Sequence, residues 1–307
     1  MNRFSSLNNR YIKLFVALLI GIICVYYVAR GFDWQQIWES LQKANPAFFF
    51  AGAIVTLLAF FFFRTARWYV LLKSENLNVP FVKLYLYNSV SIGISNITPF
   101  QAGEAVKVEL LRKYGVGRAV GYTIFFLERF IDFAVVVAMG ILGVSFGFDS
   151  GVSPVYFYAA STVFIAGFFA VLAVAFRLPF ERLNPIKNSL RERWRQKQAL
   201  LAALFFTVCS WSAAIVGWKM TLASVSVNIN FLQSVSLVSL SVLLAIVSFV
   251  PGAVGVSEIG ITAILTRMNV EPAAAQTAAI ALRAYALMLL ALAFLHWIAL
   301  KLFTEKR

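Results

Sequence analysis

Residues 82–104 read VKLYLYNSVSIGISNITPFQAGE, an apolar run that ends in a helix-breaking turn followed by an acid. Three Ser and two Asn interrupt the run, and Pro99 and Gly103 break it before Glu104. Pro and Gly free backbone groups that lipid cannot satisfy, so such a turn is tolerated at membrane depth only inside protein or beside a wet cavity. The stretch therefore predicts a re-entrant hairpin, a short helix that enters the bilayer, turns and returns.

The composition of the whole chain supports a bilayer environment. Of 307 residues, 61% are hydrophobic and 13% are charged, whereas soluble domains are about 45–50% apolar and about 25% charged. The two cysteines, Cys24 and Cys209, both lie in apolar runs, which excludes a disulfide scaffold and a thiolate metal site. With His296 as the single histidine, most histidine-based metal and nucleophile chemistry is also excluded. We therefore expect a polytopic membrane protein with no metal and no cofactor.

Six apolar stretches are near or above the ~20 residues that cross a bilayer. They are residues 11–29, 46–72, 119–147, 154–176, 198–222 and 273–302. A second broken segment, residues 232–250, ends at Pro251, Gly252 and Gly255 before a helix that contains Glu258. The sequence thus predicts an all-α polytopic membrane protein with six full spans and two re-entrant helical hairpins.

The net charge of +14 is explained by where the basic residues lie. Of 27 Lys and Arg, 21 fall in blocks that this topology places in the cytoplasm and four fall outside, which is the positive-inside bias. The charge therefore needs no nucleic-acid partner, and none is expected. If both broken segments crossed completely with a kink, the basic blocks at 107–118 and 177–197 would lie outside. We favour the hairpins, and we expect a cell (inner) membrane location with both termini cytoplasmic.

The two broken segments belong to an internal repeat with an offset of 154 residues. Glu104 aligns with Glu258 and Arg129 with Arg283, and no gap is needed from 104 to 132. The chain then forms a single integral membrane domain over residues 1–307, made of repeats 11–147 and 154–302. Each repeat holds three spans and one hairpin, so an odd number of crossings inverts the second. Inverted repeats with broken helices are typical of transporters.

Charged side chains within these predicted membrane segments are the candidate binding residues for a substrate headgroup. They are Glu104, Glu128, Arg129, Asp132, Glu258 and Arg283. A charge inside a span costs at least ~2.5–3.5 kcal/mol on insertion scales, so it is a functional candidate by default. In the alternative interpretation, Glu104–Arg129 and Glu258–Arg283 are ion pairs that only lock the hairpins. Arg64 and Arg67 are expected to snorkel at the cytoplasmic interface beside Trp68, or to guide an anionic headgroup into the cavity.

Motifs of enzymatic chemistry are not found in the sequence. The three aspartates form no DxD pair, and GxSxG, HExxH and P-loop patterns are absent. We therefore expect a protein that is not an enzyme, and transport that is passive, ion-coupled or driven by a partner.

Two longer motifs resemble a known family. NITPFQAGEAVKVELLRKYGVGRAVGYTIFFLERFID contains a Pro-x-x-x-Gly-Glu turn and an ER-x-x-D span, and SFVPGAVGVSEIGITAIL contains a Pro-Gly-x-x-Gly-x-x-Glu turn. Together with the Arg-bearing helix that follows, they resemble the flippase-like family that includes the transmembrane region of lysylphosphatidylglycerol synthase/flippase proteins. The resemblance covers residues 11–302 and implies a lipid-handling membrane fold with the six candidate charges at matching positions.

The resemblance implies a lipid translocase that moves a polar- or anionic-headgroup lipid between leaflets. Bifunctional members carry a cytosolic aminoacyl-transferase domain, which this chain lacks up to Arg307, so the synthase activity is not expected. Membrane lipids, a lipid-synthesising enzyme and a second copy of the chain are the expected partners. A small-solute secondary transporter and a non-transporting scaffold for a lipid-modifying enzyme remain as alternatives.

Overall fold

The computed structural model describes residues 19–98, 103–146, 162, 196–248 and 250–305. Every regular element among these residues is helical. Three sequence predictions lie outside the described residues: the turn residue Pro99, the span 154–176 except for residue 162, and the first part of the span 11–29.

The longer elements are α-helices, numbered here in chain order. They are α1 (Leu19–Gly31), α2 (Trp34–Gln42), α3 (Pro46–Lys73), α4 (Phe81–Ile97), α5 (Val106–Leu111), α6 (Arg118–Phe146), α7 (Lys197–Ser224), α8 (Phe231–Ser248), α9 (Val256–Arg267) and α10 (Pro272–Glu305). Among the described helices, α3, α7, α8 and α10 are long and apolar enough to cross a membrane. The described part of the chain is therefore all-helical, and the chain is a membrane protein with several apolar helices.

The predicted spans at 46–72, 198–222 and 273–302 coincide with α3, α7 and α10. Helix α6 is 29 residues long and covers residues 119–146 of the predicted span 119–147, with charged residues in its middle. Helix α8 has 18 residues and is apolar, so its length also permits a full crossing, whereas α4 has 17 residues and is more polar.

Three pairs of long helices pack against each other in the described part of the chain. Helix α3 packs along α7, α4 packs against α10, and α6 packs against α8. The short helix α5 lies against α4 and α6, and α9 lies against α8 and α10. These pairs surround a central cavity, to which α3, α4, α6, α7, α8 and α10 all contribute side chains.

Both helix breaks are held by local hydrogen bonds and by glycine. In the first turn, Gly103 N–H donates to Thr98 Oγ1 at 2.9 Å, and a Cβ on Gly103 would lie 2.6 Å from the backbone of Ile94. In the second turn, Gly252 and Gly255 have φ of 63° and 79°, in the left-handed region that favours glycine. The predicted helix breaks at Gly103, Gly252 and Gly255 are therefore present in the fold.

The amphipathic helix α2 connects α1 to α3. Asp33 accepts from Gln36 N–H at 3.0 Å and so caps its N-terminus. Ile37 is buried, whereas Trp34 and Trp38 are exposed. A short helix with one buried apolar residue and two exposed indoles fits the membrane–water interface, where Trp is enriched.

Candidate functional site

Seven charged side chains converge in the interior on one side of the cavity, and we call them the charged cluster. Its members are Arg64, Arg67, Glu104, Lys107, Glu128, Arg129 and Asp132. Two helical spacings bring four of them together, because residues three or four apart share a helix face. Arg64 and Arg67 share a face of α3, and Glu128 and Asp132 share a face of α6.

One layer of the cluster lines the cavity. Arg64 Nη2 lies 2.6 Å from Asp132 Oδ2 and 3.4 Å from Glu104 Oε1. Arg129 Nη2 lies 2.8 Å from Glu104 Oε2 and 2.8 Å from Asp132 Oδ2. All four residues line the cavity. Arg64 and Arg129 therefore share both of these carboxylates, and an incoming anion would compete directly for the two guanidinium groups.

A second layer lies behind the first and has no exposed side chain. Lys107 Nζ lies 2.7 Å from Glu128 Oε2, and Arg67 forms a further ion pair with Glu128. Trp68 Nε1 donates to Glu128 Oε2 at 2.6 Å, and its ring lies 4.5 Å from Lys107 Nζ. Asn88 Oδ1 accepts from Lys107 at 3.1 Å. The Lys107 and Glu128 side chains are thus enclosed in protein and form an ion pair with each other.

The charged cluster contains more positive than negative charge. Among the described residues it holds four cations and three carboxylates, which leaves a surplus of one positive charge. A surplus charge in a low-dielectric interior is costly without a counter-ion. The site is therefore electrostatically complementary to an anion.

The cavity itself is amphipathic, with a volume of about 410 Å³. Its charged wall faces aromatic and aliphatic side chains that include Phe60, Phe133, Trp211 and Trp218. The volume lies within the range of roughly 300–1,000 Å³ that is usual for ligand pockets. Such a cavity accepts a molecule that is charged at one end and apolar at the other.

The second predicted pair, Glu258 and Arg283, forms a different kind of site. Arg283 Nε pairs with Glu258, Arg283 Nη1 donates to the carbonyl of Gly252 at 3.0 Å, and Nη2 donates to Ala253 O at 3.3 Å and Ser257 Oγ at 2.5 Å. Glu258 accepts in addition from Gly255 N–H at 2.7 Å. The pair therefore holds the second turn closed, because the guanidinium nitrogens of Arg283 already donate to backbone and side-chain acceptors of that turn.

The two halves differ around these equivalent pairs. The 154-residue offset sets Lys107 against Ile261, Glu128 against Leu282 and Asp132 against Ala286. The positions equivalent to Arg64 and Arg67 carry Trp218 and Thr221. The six predicted charges are thus divided, with four in the charged cluster and two in the second turn.

The expectation that Arg64 and Arg67 snorkel at the interface is wrong. Arg64 is 5% and Arg67 is 0% exposed, because their guanidinium groups are paired with Asp132 and Glu128. Lys107, counted by sequence in a cytoplasmic basic block, is also 0% exposed and was missed as a site residue. Its position three residues after Glu104, about one helical turn further along the chain, was the available signal.

The fold and the site define a class of protein: a polytopic helical membrane protein with an amphipathic cavity and a buried charged cluster. The chain belongs to the family described as "Lysylphosphatidylglycerol synthase TM region", whose model matches residues 14–293. The chain is also similar to "UPF0104 membrane protein PH1989" of Pyrococcus horikoshii. The two proteins are 22% identical over 301 residues, an alignment that covers 86% of this chain and 90% of the relative.

Proposed function

We propose that this protein is a lipid translocase, passive or ion-coupled, that moves a polar- or anionic-headgroup lipid between the leaflets of a bacterial-type inner membrane. The observation that carries the proposal is the amphipathic cavity, whose charged wall includes Arg64 and Arg129 and whose other walls are apolar. A phospholipid has the same division between a charged headgroup and apolar chains. Membership in the lysylphosphatidylglycerol synthase transmembrane family supports a lipid substrate.

The proposal includes the finer architecture of six full spans and two re-entrant hairpins in inverted repeats 11–147 and 154–302, with both termini cytoplasmic. The packing of the described helices supports it. Under the 154-residue offset, α3 and α7 exchange places, and the pair α4–α10 becomes the pair α8–α6. An exchange of this kind is expected from two repeats related by a pseudo-two-fold axis.

A headgroup phosphate would act by competing for arginines within the charged cluster. Asp132 and Glu104 hold Arg64 and Arg129 in the cavity wall. A phosphate oxygen accepts from the same N–H groups and releases the carboxylates from them. Because the ligand then contacts the cavity wall differently in the open and closed states, its binding energy can shift the population between them.

The proposed cycle contains no covalent step, and we infer that the protein is not an enzyme. The lipid would be made by a separate enzyme, with which the protein would act in sequence. The acyl chains would stay among apolar side chains while the headgroup passes the charged wall.

The experiment uses purified protein in liposomes with a tail-labelled fluorescent phosphatidylglycerol. Dithionite quenches only the outer leaflet, so translocation exposes the inner pool of label. Ala214 lines the cavity on α7, and Ala214→Phe should abolish translocation by filling it. Val216 lies on the same helix and is 41% exposed, so Val216→Phe is the matched control and should translocate at the wild-type rate.

Two results would count against the proposal. A wild-type protein that fails to accelerate translocation above protein-free liposomes would favour the scaffold interpretation. Equal rates for the Ala214→Phe and Val216→Phe variants would show that lipid does not pass through the cavity.

A further inference from the structure

We propose that the surplus positive charge of the charged cluster selects lipids with one net negative charge, and that Lys107 is the residue that supplies it. This inference rests on the proposed lipid-translocase function and specifies its substrate class. The ligand is a phosphodiester headgroup without a compensating cation, in preference to a zwitterionic headgroup.

The surplus arises behind the cavity wall. The wall itself is balanced, since Arg64 and Arg129 face Glu104 and Asp132. The second layer is not balanced, because Arg67 and Lys107 share a single additional carboxylate, Glu128. A zwitterionic headgroup adds no net charge and leaves the surplus in place, whereas a monoanion neutralises it.

Lys107 acts on the ligand through its field. Among the described residues, those that line the cavity do not include Lys107 or Glu128. At an assumed separation of roughly 10 Å and an effective dielectric constant of about 20, one unit charge changes the binding of a monoanion by about tenfold. The preference of the site can therefore be changed from behind the wall without removing a ligand contact.

The cavity wall also holds a donor for such an anion. Arg64 lines the cavity and is 5% exposed, and its Nε–H is buried without a hydrogen-bond acceptor among the described residues. A buried N–H without an acceptor is rare and marks a group that a ligand can satisfy. An anionic oxygen that takes the place of a carboxylate on Arg64 would satisfy this N–H once the guanidinium group turns toward the cavity, and would add the missing negative charge at the same time.

The surplus also determines which wall of the cavity receives the headgroup. In the second turn, Glu258 and Arg283 are balanced one to one, and the position equivalent to Lys107 is Ile261. The field of the cavity is therefore polarised toward the first turn. An anionic headgroup is drawn to the wall formed by α3 and α6, not to the side of α10.

The test separates net charge from contacts by removing Lys107 and Glu128 singly and together. Lys107→Met removes the surplus, Glu128→Gln raises it to two, and the double variant restores it to one because the two charges form a pair. Translocation is measured for tail-labelled phosphatidylglycerol, with one negative charge, and phosphatidylcholine, with none. The quantity compared is the ratio of the two rates, so a general loss of activity does not affect it.

We expect Lys107→Met to lower this ratio about tenfold, Glu128→Gln to raise it, and the double variant to return it to the wild-type value. If Lys107→Met does not purify as a folded protein, the inference is tested by Glu128→Gln alone, for which the ratio of the two translocation rates should rise. A double variant that keeps the ratio of Lys107→Met would overturn the inference, because the effect would then come from contacts. An unchanged ratio in all variants would overturn it as well.

Binding distinguishes failure of this inference from failure of the proposed function. The same two lipids compete for the purified protein in mixed micelles, and the bound fraction is read by native mass spectrometry. If the wild-type protein moves no lipid but the bound ratio follows the surplus charge, the translocase function fails and the selectivity stands. If lipid moves but neither ratio follows the charge, the selectivity fails alone.

Discussion

Arg129 and Arg283 occupy equivalent positions of the repeat, yet the structure predicts opposite consequences when each is changed to Gln. Arg283→Gln removes the partner of Glu258, which is 5% exposed, and removes donors to the carbonyls of Gly252 and Ala253. Breaking a buried ion pair by removing one partner costs about 3–5 kcal/mol. We therefore expect Arg283→Gln to destabilise the protein by about this amount.

Arg129→Gln should cost less because its carboxylate partners keep other cations. Glu104 keeps Lys107 at 3.1 Å and Arg64 at 3.4 Å, and Asp132 keeps Arg64 at 2.6 Å. The remaining loss is that of hydrogen bonds to charged groups, about 1.5–3 kcal/mol. The variant should still lose translocation, since it removes a guanidinium group from the cavity wall and cancels the surplus positive charge.

The measurement is thermal unfolding of both variants in detergent, followed by size-exclusion chromatography after heating. One kcal/mol corresponds to a change in Tm of roughly 2 °C for a chain of this size. We expect Tm to fall by roughly 6–10 °C for Arg283→Gln and by roughly 3–6 °C for Arg129→Gln. An equal or larger fall for Arg129→Gln would refute the assignment of Arg283 as the residue that holds the turn.

Three further outcomes are expected. Gly255→Ala should lower the stability of the fold by about 1–3 kcal/mol, because φ at Gly255 is 79° and an added Cβ would collide with α1. Gly117→Ala is the control, since Gly117 has open space around it and the variant should keep wild-type stability. Thermal unfolding compares the two variants. The indole N–H of Trp211 is buried and has no acceptor among the described residues, and Trp211→Phe removes this donor while keeping an aromatic ring in the cavity wall. If a bound lipid accepts from this N–H, the variant should bind phosphatidylglycerol about tenfold more weakly in the micelle assay. In a cysteine-free background, Gln36→Cys should react with a membrane-impermeant maleimide only from outside and Lys113→Cys only from the cytoplasm; the reverse pattern would contradict the proposed topology.

The boundaries of the helices could be predicted closely from the sequence, because in a bilayer they depend on local composition. An apolar run must be helical to satisfy its backbone, and Pro or Gly ends it. The predicted span 46–72 is therefore found as Pro46–Lys73, and 198–222 as Lys197–Ser224. The pairing of Glu104 with Arg129 followed from the same reasoning, because two opposite charges inside predicted membrane segments need partners.

The composition of the charged cluster could not be predicted, because it depends on which helix faces meet. Arg64, Arg67 and Lys107 lie near segment ends, where basic residues usually mark the cytoplasmic interface. Only the packing of α3, α5 and α6 turns them inward to Glu128 and Asp132. The relevant signal was an excess of carboxylates on α6, since two acids in one span require more cations than Arg129 alone provides.

The same Glu–Arg pair thus has two roles, and the surroundings decide which one each copy has. In the second turn, Arg283 bonds to backbone carbonyls that a headgroup cannot replace without opening the turn. In the cavity wall, Arg129 pairs with Glu104 and Asp132, and those carboxylates keep other cations when it moves. A ligand can therefore exchange partners with Arg129 at little cost but not with Arg283. It follows that, in a lipid-driven cycle, the first turn and the charged cluster would rearrange while the second turn stays closed as the fixed support.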